Sequence, residues 1–315
     1  MNVIIVGASG YIGSRLAVFF SNKGYKVTAV CRKIPSFQKD WENKIHKFIF
    51  GDVNDKKVIN QIISIKGDII INLVSLDHNE SEKDLGKSID INVKPTLNIL
   101  NKSINNNLKM FIYFSTIHVY GKNQEGLVKE SRISSPSNFY GLTHDLSEKV
   151  CNYFHNNNGI NCINIRLSNS YGEPVFNNSK CWDLIVNDLT KSAFFNKKII
   201  LKSNGLAIRD FIHYSDICNG IDKIINTKLF KENTFNFSSS QSISMLTLAS
   251  IVKEIFFKKF KSDIPIYINK NHLIEKIIKT KIDSKIDNSL ALKYGIIFNK
   301  NIKDGITDLF DSFTK

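Results

Sequence analysis

Two side chains that could exchange protons, Tyr140 and His144, stand four residues apart in the stretch FYGLTH. Apolar residues recur at helical spacing after this stretch, so the sequence predicts a helix that turns both side chains toward one cleft. An unperturbed phenol has a pKa near 10. Its pKa must be shifted toward neutrality before it serves in general acid/base chemistry, and a nearby cation has that effect.

The first residues of the chain, NVIIVGASGYIGSR, predict a strand, a tight turn and a helix. The β-branched run Val3–Val6 is typical of a central parallel strand that is buried on both faces. The glycines suit a turn that bends sharply, lets a pyrophosphate approach and packs helix on strand. The N-terminus of the helix offers unpaired N–H groups to phosphates. We therefore predict a dinucleotide site formed by Gly7, Ser9, Gly10, Tyr11, Ile12 and Gly13.

The residues after the second predicted strand, Lys26–Val30, favour a phosphorylated cofactor. An NAD site usually has an Asp or Glu there, which accepts hydrogen bonds from the adenosine ribose. This chain has Arg32 and Lys33 instead, and no carboxylate lies between Tyr25 and Gln38. Two cations suit the 2′-phosphate of NADP(H). The sequence thus predicts NADP(H), with NAD as the alternative cofactor and a basic surface pair as the purely structural interpretation.

Strands and helices alternate over about the first 170 residues, which predicts an α/β fold with a doubly wound parallel sheet. Ligands of such sheets bind beyond the carboxyl ends of the strands. Further strands are expected at 48–50, 69–74, 110–114 and 164–167, and a long helix at 84–107. The cofactor contacts that we predict at these strand ends and on this helix are Asp52, Val53, Leu73, Val74, Ser75 and Asn92.

We predict two domains. Residues 1–170 form the dinucleotide-binding domain, and 171–315 form mainly a smaller C-terminal substrate lobe, with 206–240 returning to the sheet. In the second half the patterns predict strands at 235–238 and 265–268 and helices at 178–195, 246–260 and 302–313.

The composition is that of an ordinary globular protein, with 42% hydrophobic and 23% charged residues. The net charge of +14 is spread over the whole chain, so nucleic-acid binding is not expected.

The five cysteines are scattered, which indicates reduced thiols and no metal site. No stretch approaches the roughly 18 apolar residues of a membrane span. We expect a cytoplasmic protein without a leader or a membrane segment.

The chain resembles the extended short-chain dehydrogenase/reductase family, which comprises NAD(P)-dependent epimerases, dehydratases and reductases of nucleotide sugars. The resemblance covers nearly the whole chain and implies a Rossmann fold. The residues that carry it are the N-terminal glycine turn, Ser115–Gly121 (STIHVYG), Tyr140, Arg166–Asn169 and Arg209–His213.

The resemblance implies that Tyr140 is the general acid/base. It would exchange a proton with a sugar oxygen while hydride passes between the nicotinamide and the carbon that bears this oxygen. Thr116 would orient the same oxygen, and Asn169 would contact the sugar or its pyrophosphate.

For Arg209 two interpretations are open. The resemblance implies binding of the nucleotide pyrophosphate, a bidentate task that suits a guanidinium. The structural alternative is an ion pair with Asp210 or Asp216. The other substrate contacts that we predict are Ser75, His118 and Trp182.

His144 departs from the family pattern, which has a lysine four residues after the tyrosine. Histidine is shorter, and its charge titrates near pH 6.5. Three interpretations are open. His144 contacts the nicotinamide ribose and, when protonated, lowers the pKa of Tyr140; or the site is slow or altered; or it is inactive. Tyr140 and His144 are thus expected both as catalytic residues and as cofactor contacts.

The function that we predict is NADP(H)-dependent oxidoreduction of a nucleotide-activated sugar, specifically reduction of a 4-keto sugar in surface-polysaccharide synthesis. The family's 4,6-dehydratases carry an Asp-Glu pair after the threonine, and Ile117 and His118 supply neither carboxylate. The alternatives are a nucleotide-sugar 4-epimerase, an NAD-dependent nucleotide-sugar dehydrogenase and, from another class, a non-catalytic NADP(H)-binding sensor. The resemblance also implies a homodimer through the helices that hold Asn92 and Tyr140.

Overall fold

The computed structural model of the protein describes residues 1–34, 39–65, 67–122, 125–227, 230–268, 272–273 and 284–314. Its strands are β1 (Asn2–Val6), β2 (Lys26–Cys31), β3 (Lys47–Phe50), β4 (Ile69–Asn72), β5 (Met110–Thr116), β6 (Gly126–Val128), β7 (Cys162–Leu167), β8 (Asn169–Tyr171), β9 (Ile199–Leu201), β10 (Ile208–His213), β11 (Thr234–Phe237), β12 (Ser242–Ser244), β13 (Ile266–Ile268), β14 (His272–Leu273) and β15 (Ser284–Ile286). Its α-helices are α1 (Tyr11–Asn22), α2 (Lys39–Glu42), α3 (Lys56–Ser64), α4 (His78–Lys83), α5 (Leu85–Asn92), α6 (Lys94–Ser103), α7 (Phe139–Asn158), α8 (Ile185–Asn196), α9 (Tyr214–Asn226), α10 (Met245–Phe260), α11 (Ser289–Lys293) and α12 (Ile302–Ser312). Turns of 3₁₀-helix occur at Ile117–Tyr120 and Lys180–Asp183.

Within the described residues, seven parallel strands form the central sheet in the order β3-β2-β1-β4-β5-β7-β11. The order steps outward from β1 in both directions, as in a doubly wound sheet. Parallel neighbours need crossover connections, and here helices form most of them. The predicted fold class is confirmed.

The two faces of the sheet are covered by different helices, as the side chains of β1 show. Val3 and Ile5 pack with residues of α1 and α9, whereas Ile4 and Val6 pack with residues of α3, α6 and α7. Successive side chains of a strand point to opposite faces. A strand that is covered on both sides therefore appears in the sequence as a continuous apolar run.

The C-terminal half contributes to the sheet and also builds a second apolar core. Strand β11 pairs in parallel with β7 at the edge of the central sheet. Strand β10 instead pairs with β8 and β12 in a small separate sheet. Helices α8, α10 and α12 bury a cluster that includes Leu189, Ala249 and Leu309. Only part of 206–240 thus joins the central sheet, and the division at residue 170 stays a prediction.

The single helix predicted over 84–107 is wrong, because the structure has two helices, α5 and α6, which meet at Val93. Pro95 lies in the first turn of α6. Proline has no N–H to donate to the carbonyl four residues earlier, and its ring collides with that carbonyl. The helix expected over 178–195 is also interrupted, since Leu184 is extended with ψ 135° and α8 begins after it. No helix in the described parts of the chain is both long and apolar enough to span a bilayer.

The turn between β1 and α1 has two positions that require glycine. Gly7 has a φ of +89°, which side chains rarely tolerate. A Cβ atom added to Gly13 would lie 2.3 Å from the carbonyl oxygen of Gly7. Glycine at position 13 therefore lets α1 pack directly against the end of β1.

We expect Gly13→Ala to destabilise the protein by about 3 kcal/mol, because the new methyl group meets backbone atoms that cannot move aside. Gly86→Ala is the matched control. A Cβ atom there, on α5, would meet no atom closer than 3.7 Å, and alanine is the better helix former by up to about 1 kcal/mol. Urea unfolding followed by circular dichroism measures both variants. A Gly13→Ala protein as stable as the parent would contradict the packing argument.

Candidate active site

The predicted catalytic residues converge where β5 ends and α7 begins. Thr116 is the last residue of β5, and its side chain shares a hydrogen bond with the hydroxyl of Tyr140 in the first turn of α7. Gly141 permits this approach, because a Cβ atom there would lie 2.7 Å from the carbonyl oxygen of His118. The Asn138 side chain caps α7 by accepting the N–H of Gly141 at 2.7 Å.

Three imidazole rings surround Tyr140. Their centroids lie 4.6 Å (His144), 5.6 Å (His118) and 6.3 Å (His78) from that of the phenol. His78 and His118 are exposed and stack on each other. Burial raises the pKa of Tyr140 to about 12, against the opposing effect of the hydrogen bond with Thr116. The phenol is therefore protonated at neutral pH.

His144 is only 3% exposed, and both of its ring nitrogens are bonded within the protein. Nδ1 lies 2.8 Å from Oη of Tyr113, and Nε2 lies 3.1 Å from Oγ of Ser75. Burial lowers the pKa of His144 to about 3. Burial therefore disfavours a charged ring, and a role of protonated His144 in lowering the pKa of Tyr140 stays a prediction that this geometry does not favour. Neither nitrogen is left free for a ribose hydroxyl.

The predicted cofactor residues of the glycine turn lie where β1, β2 and β4 end. Gly10 is the N-cap of α1, and no side chain caps the helix. Leu73 and Val74 leave β4 beside Gly7, within 3.4 Å of where its Cβ would be. The turn therefore presents backbone rather than side chains, as the approach of a diphosphate requires. Ser9 is half-buried at this turn.

Other predicted cofactor side chains of this region serve the protein itself. Ile12 packs against the apolar core. The Asp52 carboxylate accepts the N–H of Asn54 at 2.8 Å, and Val53 is buried in the core. The roles of these residues toward a cofactor stay predictions.

Tyr11 and Arg15 join α1 to the loop after β8. The hydroxyl of Tyr11 donates to the carbonyl oxygen of Gly172 at 2.9 Å. The Arg15 guanidinium donates to the carbonyl oxygen of Glu173 at 2.8 Å and forms an ion pair with its carboxylate. The hydroxyl of Tyr11 is therefore bonded within the protein, and its role toward a cofactor stays a prediction.

Asn92 is buried, and its amide holds three elements together. Its oxygen accepts the N–H of Leu76, in the loop after β4, at 2.8 Å. Its nitrogen donates to Oγ1 of Thr143, on α7, at 2.9 Å. The donor and acceptor of Asn92 are therefore used inside the protein, and its role as a cofactor contact stays a prediction.

Arg32 and Lys33 follow β2 directly and are both exposed. Neither forms a hydrogen bond or an ion pair with another described residue. Their charges are therefore available to an anion that binds at the end of β2.

One pocket beside Tyr140 brings together three of the predicted substrate contacts, His118, Asn169 and Arg209. Nδ2 of Asn169 donates to the backbone carbonyl of Asp210 at 2.9 Å, which fixes the amide at the pocket wall. Partial burial lowers the pKa of His118, and the charges of His78 and Arg209 lower it further. The pocket thus has neutral polar groups near Tyr140 and a cation farther along.

The structural alternative for Arg209 is not realised. The carboxylate of Asp210 accepts from the hydroxyls of Ser168 and Ser239. Asp216 accepts a backbone N–H from the segment before α12. The exposed guanidinium of Arg209 forms no ion pair with any residue that the structure describes.

Trp182 does not line this pocket, and its role as a substrate contact stays a prediction. Its ring packs on Phe313 with centroids 5.4 Å apart, and its Nε1 donates to the carbonyl oxygen of Asn177. It lines a different groove together with Trp41 and Phe195. The segment forms a 3₁₀ turn rather than the expected helix, which turns the indole toward the end of α12.

Residues 3–237 match the family model described as the NAD dependent epimerase/dehydratase family. The chain belongs to this family. Among curated proteins it is 28% identical to a UDP-glucose 4-epimerase of Mycoplasma genitalium over 278 residues, which is 81% of either chain. The resemblance to extended short-chain dehydrogenases/reductases is thereby confirmed.

Solved structures show the same fold. A UDP-glucose 4-epimerase of Thermotoga maritima, with UDP-glucose, has a TM-score of 0.85 at 20% identity and covers 100% of this chain and 99% of its own. A UDP-glucuronic acid 4-epimerase of Bacillus cereus, with UDP-glucuronic acid and NAD, has a TM-score of 0.79 at 22% identity, with the same coverage.

This member of the epimerase/dehydratase family also has a buried ion pair at the site, whose role sequence reasoning missed. Nη2 of Arg166, on β7, lies 2.7 Å from Oε2 of Glu148, on α7, and both side chains are buried. Ser115 donates to the same carboxylate, and the guanidinium lies over the ring of Tyr120. The sequence signal that could have predicted this ion pair is a carboxylate two helical turns after Tyr140, on the buried face of the helix.

Proposed function

We propose that this protein is an NADP(H)-dependent oxidoreductase that reduces the 4-keto group of a nucleotide-activated sugar. The observation that carries the proposal is the protonated hydroxyl of Tyr140, bonded to Thr116, beside a pocket lined by Arg209, whose guanidinium forms no ion pair with any described residue. A proton donor next to His118, in a pocket that Arg209 also lines, suits a nucleotide sugar whose diphosphate binds the guanidinium.

The glycine turn fits a dinucleotide. Gly13 brings α1 against β1, and the uncapped N-terminus of α1 offers N–H groups and a positive dipole end to a diphosphate. When bound, the nicotinamide supplies the hydride. The cations Arg32 and Lys33, which pair with no other described residue, support a cofactor with a 2′-phosphate.

The residues of this chain would then act as follows. Arg209 binds the diphosphate of the substrate, and Asn169 lines the path toward the sugar. Thr116 orients the hydroxyl of Tyr140, which donates its proton to the carbonyl oxygen as that carbon is reduced. A phenol that stays protonated at neutral pH is ready for this donation.

A nucleotide-sugar 4-epimerase is the second candidate, which the names of the relatives favour. In that reaction Tyr140 would first remove a proton from a hydroxyl group and later return it. The raised pKa of Tyr140 makes the first of these steps the harder one. A non-catalytic sensor is less favoured, since it has no use for a proton donor beside a diphosphate-binding cation.

We expect NADPH oxidation with at least one of a panel of 4-keto nucleotide sugars linked to GDP, dTDP, UDP or CDP. Tyr140→Phe should lower kcat by about 10²–10⁴-fold, because the proton donor is lost. Tyr153→Phe is the matched control, since Tyr153 is 60% exposed on the same helix. The measurement is the absorbance band of NADPH. Interconversion of sugars with tightly bound NAD and no net oxidation would favour the epimerase, and neither activity would reject both.

We expect Arg32→Ala to raise the KM for NADPH by about 10–100-fold and to leave the KM for NADH unchanged, because only NADPH has the 2′-phosphate. Lys26→Ala removes an exposed cation from the opposite end of the same strand and should change neither value. Steady-state kinetics with both cofactors measures the effect. A parallel change in both constants would contradict a phosphate contact.

We also propose that the protein forms a homodimer through α5, α6 and α7. These helices pack beside one another and expose apolar side chains on their outer faces. Exposed apolar side chains on neighbouring helices are typical of an interface. The exposed residues are Leu85, Ile89, Leu97, Leu142 and Leu146.

Leu146→Glu should convert the dimer to a monomer, because it places a charge in the apolar interface. Ile133→Glu is the control, since Ile133 is 86% exposed in a loop outside these helices. Light scattering gives the mass of each variant. A monomeric parent protein would reject the proposed interface.

A further inference from the structure

A buried chain of hydrogen bonds runs behind Tyr140, and the proposed function makes no use of it. It starts at Tyr113 on β5, passes through His144 on α7 and ends at Ser75 in the loop after β4. Oη of Tyr113 lies 2.8 Å from Nδ1, and Nε2 lies 3.1 Å from Oγ of Ser75. The Ser75 hydroxyl in turn donates to the carbonyl oxygen of Leu76 at 2.7 Å.

The hydrogen-bond partners determine the order of the protons in this chain. A serine hydroxyl has one proton, and Ser75 gives it to Leu76. Oγ of Ser75 can therefore only accept from His144, so Nε2 carries the ring proton. Nδ1 of the neutral ring is then an acceptor, and the hydroxyl of Tyr113 donates to it. Every polar atom of the ring is satisfied without a positive charge.

Among the described residues near the ring, the backbone carbonyl of Phe114 favours a positive charge, and burial outweighs it. The groups that face it are Tyr113 from β5, Ser75 from the loop after β4, Tyr140 from its own helix and His118 from the 3₁₀ turn. None of these four is a carboxylate, and a charged His118 would repel a second cation. Burying an ion without a partner costs several kcal/mol, so the ring stays neutral. The lowered pKa of His144 agrees with this geometry.

The surroundings of Tyr140 lead to the same conclusion. The titratable groups that face it are His78 from α4, His118 from the 3₁₀ turn, His144 from its own helix and Asp77 before α4. No lysine or arginine of the described chain contacts the phenol. A phenolate there would have no cation beside it, and the carboxylate of Asp77 would disfavour it further.

We propose that Tyr113 and Ser75 are positioning residues that hold His144 neutral, so that Tyr140 acts as a proton donor and not as a base at neutral pH. A lysine at position 144 would place a cation beside the phenol and favour the phenolate. In this chain position 144 instead holds the imidazole of His144, hydrogen-bonded at both nitrogens and neutral. The reaction favoured kinetically is then donation of a proton to a carbonyl oxygen. This last consequence rests on the proposed function, but the protonation states do not.

The pH dependence follows from the sign of the shift. The pKa of Tyr140 is raised to about 12, so the phenol keeps its proton as the pH rises through 10. A reduction that needs the protonated phenol is then constant within about twofold between about pH 7 and 9. The opposite reaction, oxidation of a hydroxyl group, gains up to about tenfold per pH unit in the same range.

The test measures both protonation states directly by NMR on the whole chain without substrate. ¹⁵N-histidine spectra report the tautomer of His144, and ¹³C-tyrosine spectra report the ionisation of Tyr140. The signals are assigned from His144→Gln and Tyr140→Phe. We expect a neutral His144 with its proton on Nε2 between about pH 5 and 9, and a Tyr140 that does not titrate below about pH 10.

Variants test the positioning roles separately. Ser75→Ala removes the acceptor for Nε2–H, so the proton should move to Nδ1 and be donated to Tyr113. Tyr113→Phe should leave the proton on Nε2 and weaken the packing of the ring. Ser64→Ala, on the surface of α3, is the control and should change neither spectrum. His144→Lys should move the titration of Tyr140 at least one pH unit lower.

Two results would overturn the proposal. One is a His144 that becomes protonated between about pH 6 and 8, and the other is a Tyr140 that titrates below about pH 9 in the parent protein. An unchanged tautomer in Ser75→Ala would reject the positioning role of Ser75. These spectra need no turnover, so an inactive protein would reject the proposed function and leave the proposal on His144 to be decided by the NMR data.

Discussion

The ion pair between Arg166 and Glu148 is the interaction on which the geometry of the site depends. It ties α7 to β7, next to the edge strand of the central sheet, and the Ser115 hydroxyl ties the same carboxylate to β5. Two buried charges are stable only with close partners, so this contact has one good geometry. The helix therefore has a defined height above the sheet. That height decides how far Tyr140 lies from Thr116.

Helix α7 contacts the central sheet and its strand ends through one residue on each of three successive turns. Tyr140 meets the end of β5, His144 meets Tyr113 one turn deeper, and Glu148 meets Arg166 one turn deeper again. A residue every four positions along a helix returns to the same side. The proton donor, the neutral ring and the ion pair are thus stacked along one face, and a shift of α7 would disturb all three together.

Local patterns were enough to predict the fold and the place of the site. A run such as VIIV predicts a strand covered on both faces, and Gly7 and Gly13 predict the turn because no side chain fits there. The proximity of Thr116 and Tyr140 was expected from the resemblance to the family, since local patterns predicted only a strand end and a helix start.

Long-range contacts were beyond such patterns. Trp182 faces the end of α12 because Leu184 is extended, and no local signal shows this. The charge of His144 depends on Tyr113, which lies in the apolar run MFIYF and appeared to be an ordinary core residue. Burial and distant partners, rather than residue type, determine both outcomes.

The bonds from Tyr11 and Arg15 to the loop after β8 connect the predicted dinucleotide-binding turn to the C-terminal half of the chain. The first turn of α1 holds the backbone of Gly172 and Glu173, and that loop leads into the C-terminal lobe. The start of α1 and the loop that leads into the C-terminal lobe are therefore joined by direct bonds, which a movement of either part would have to break.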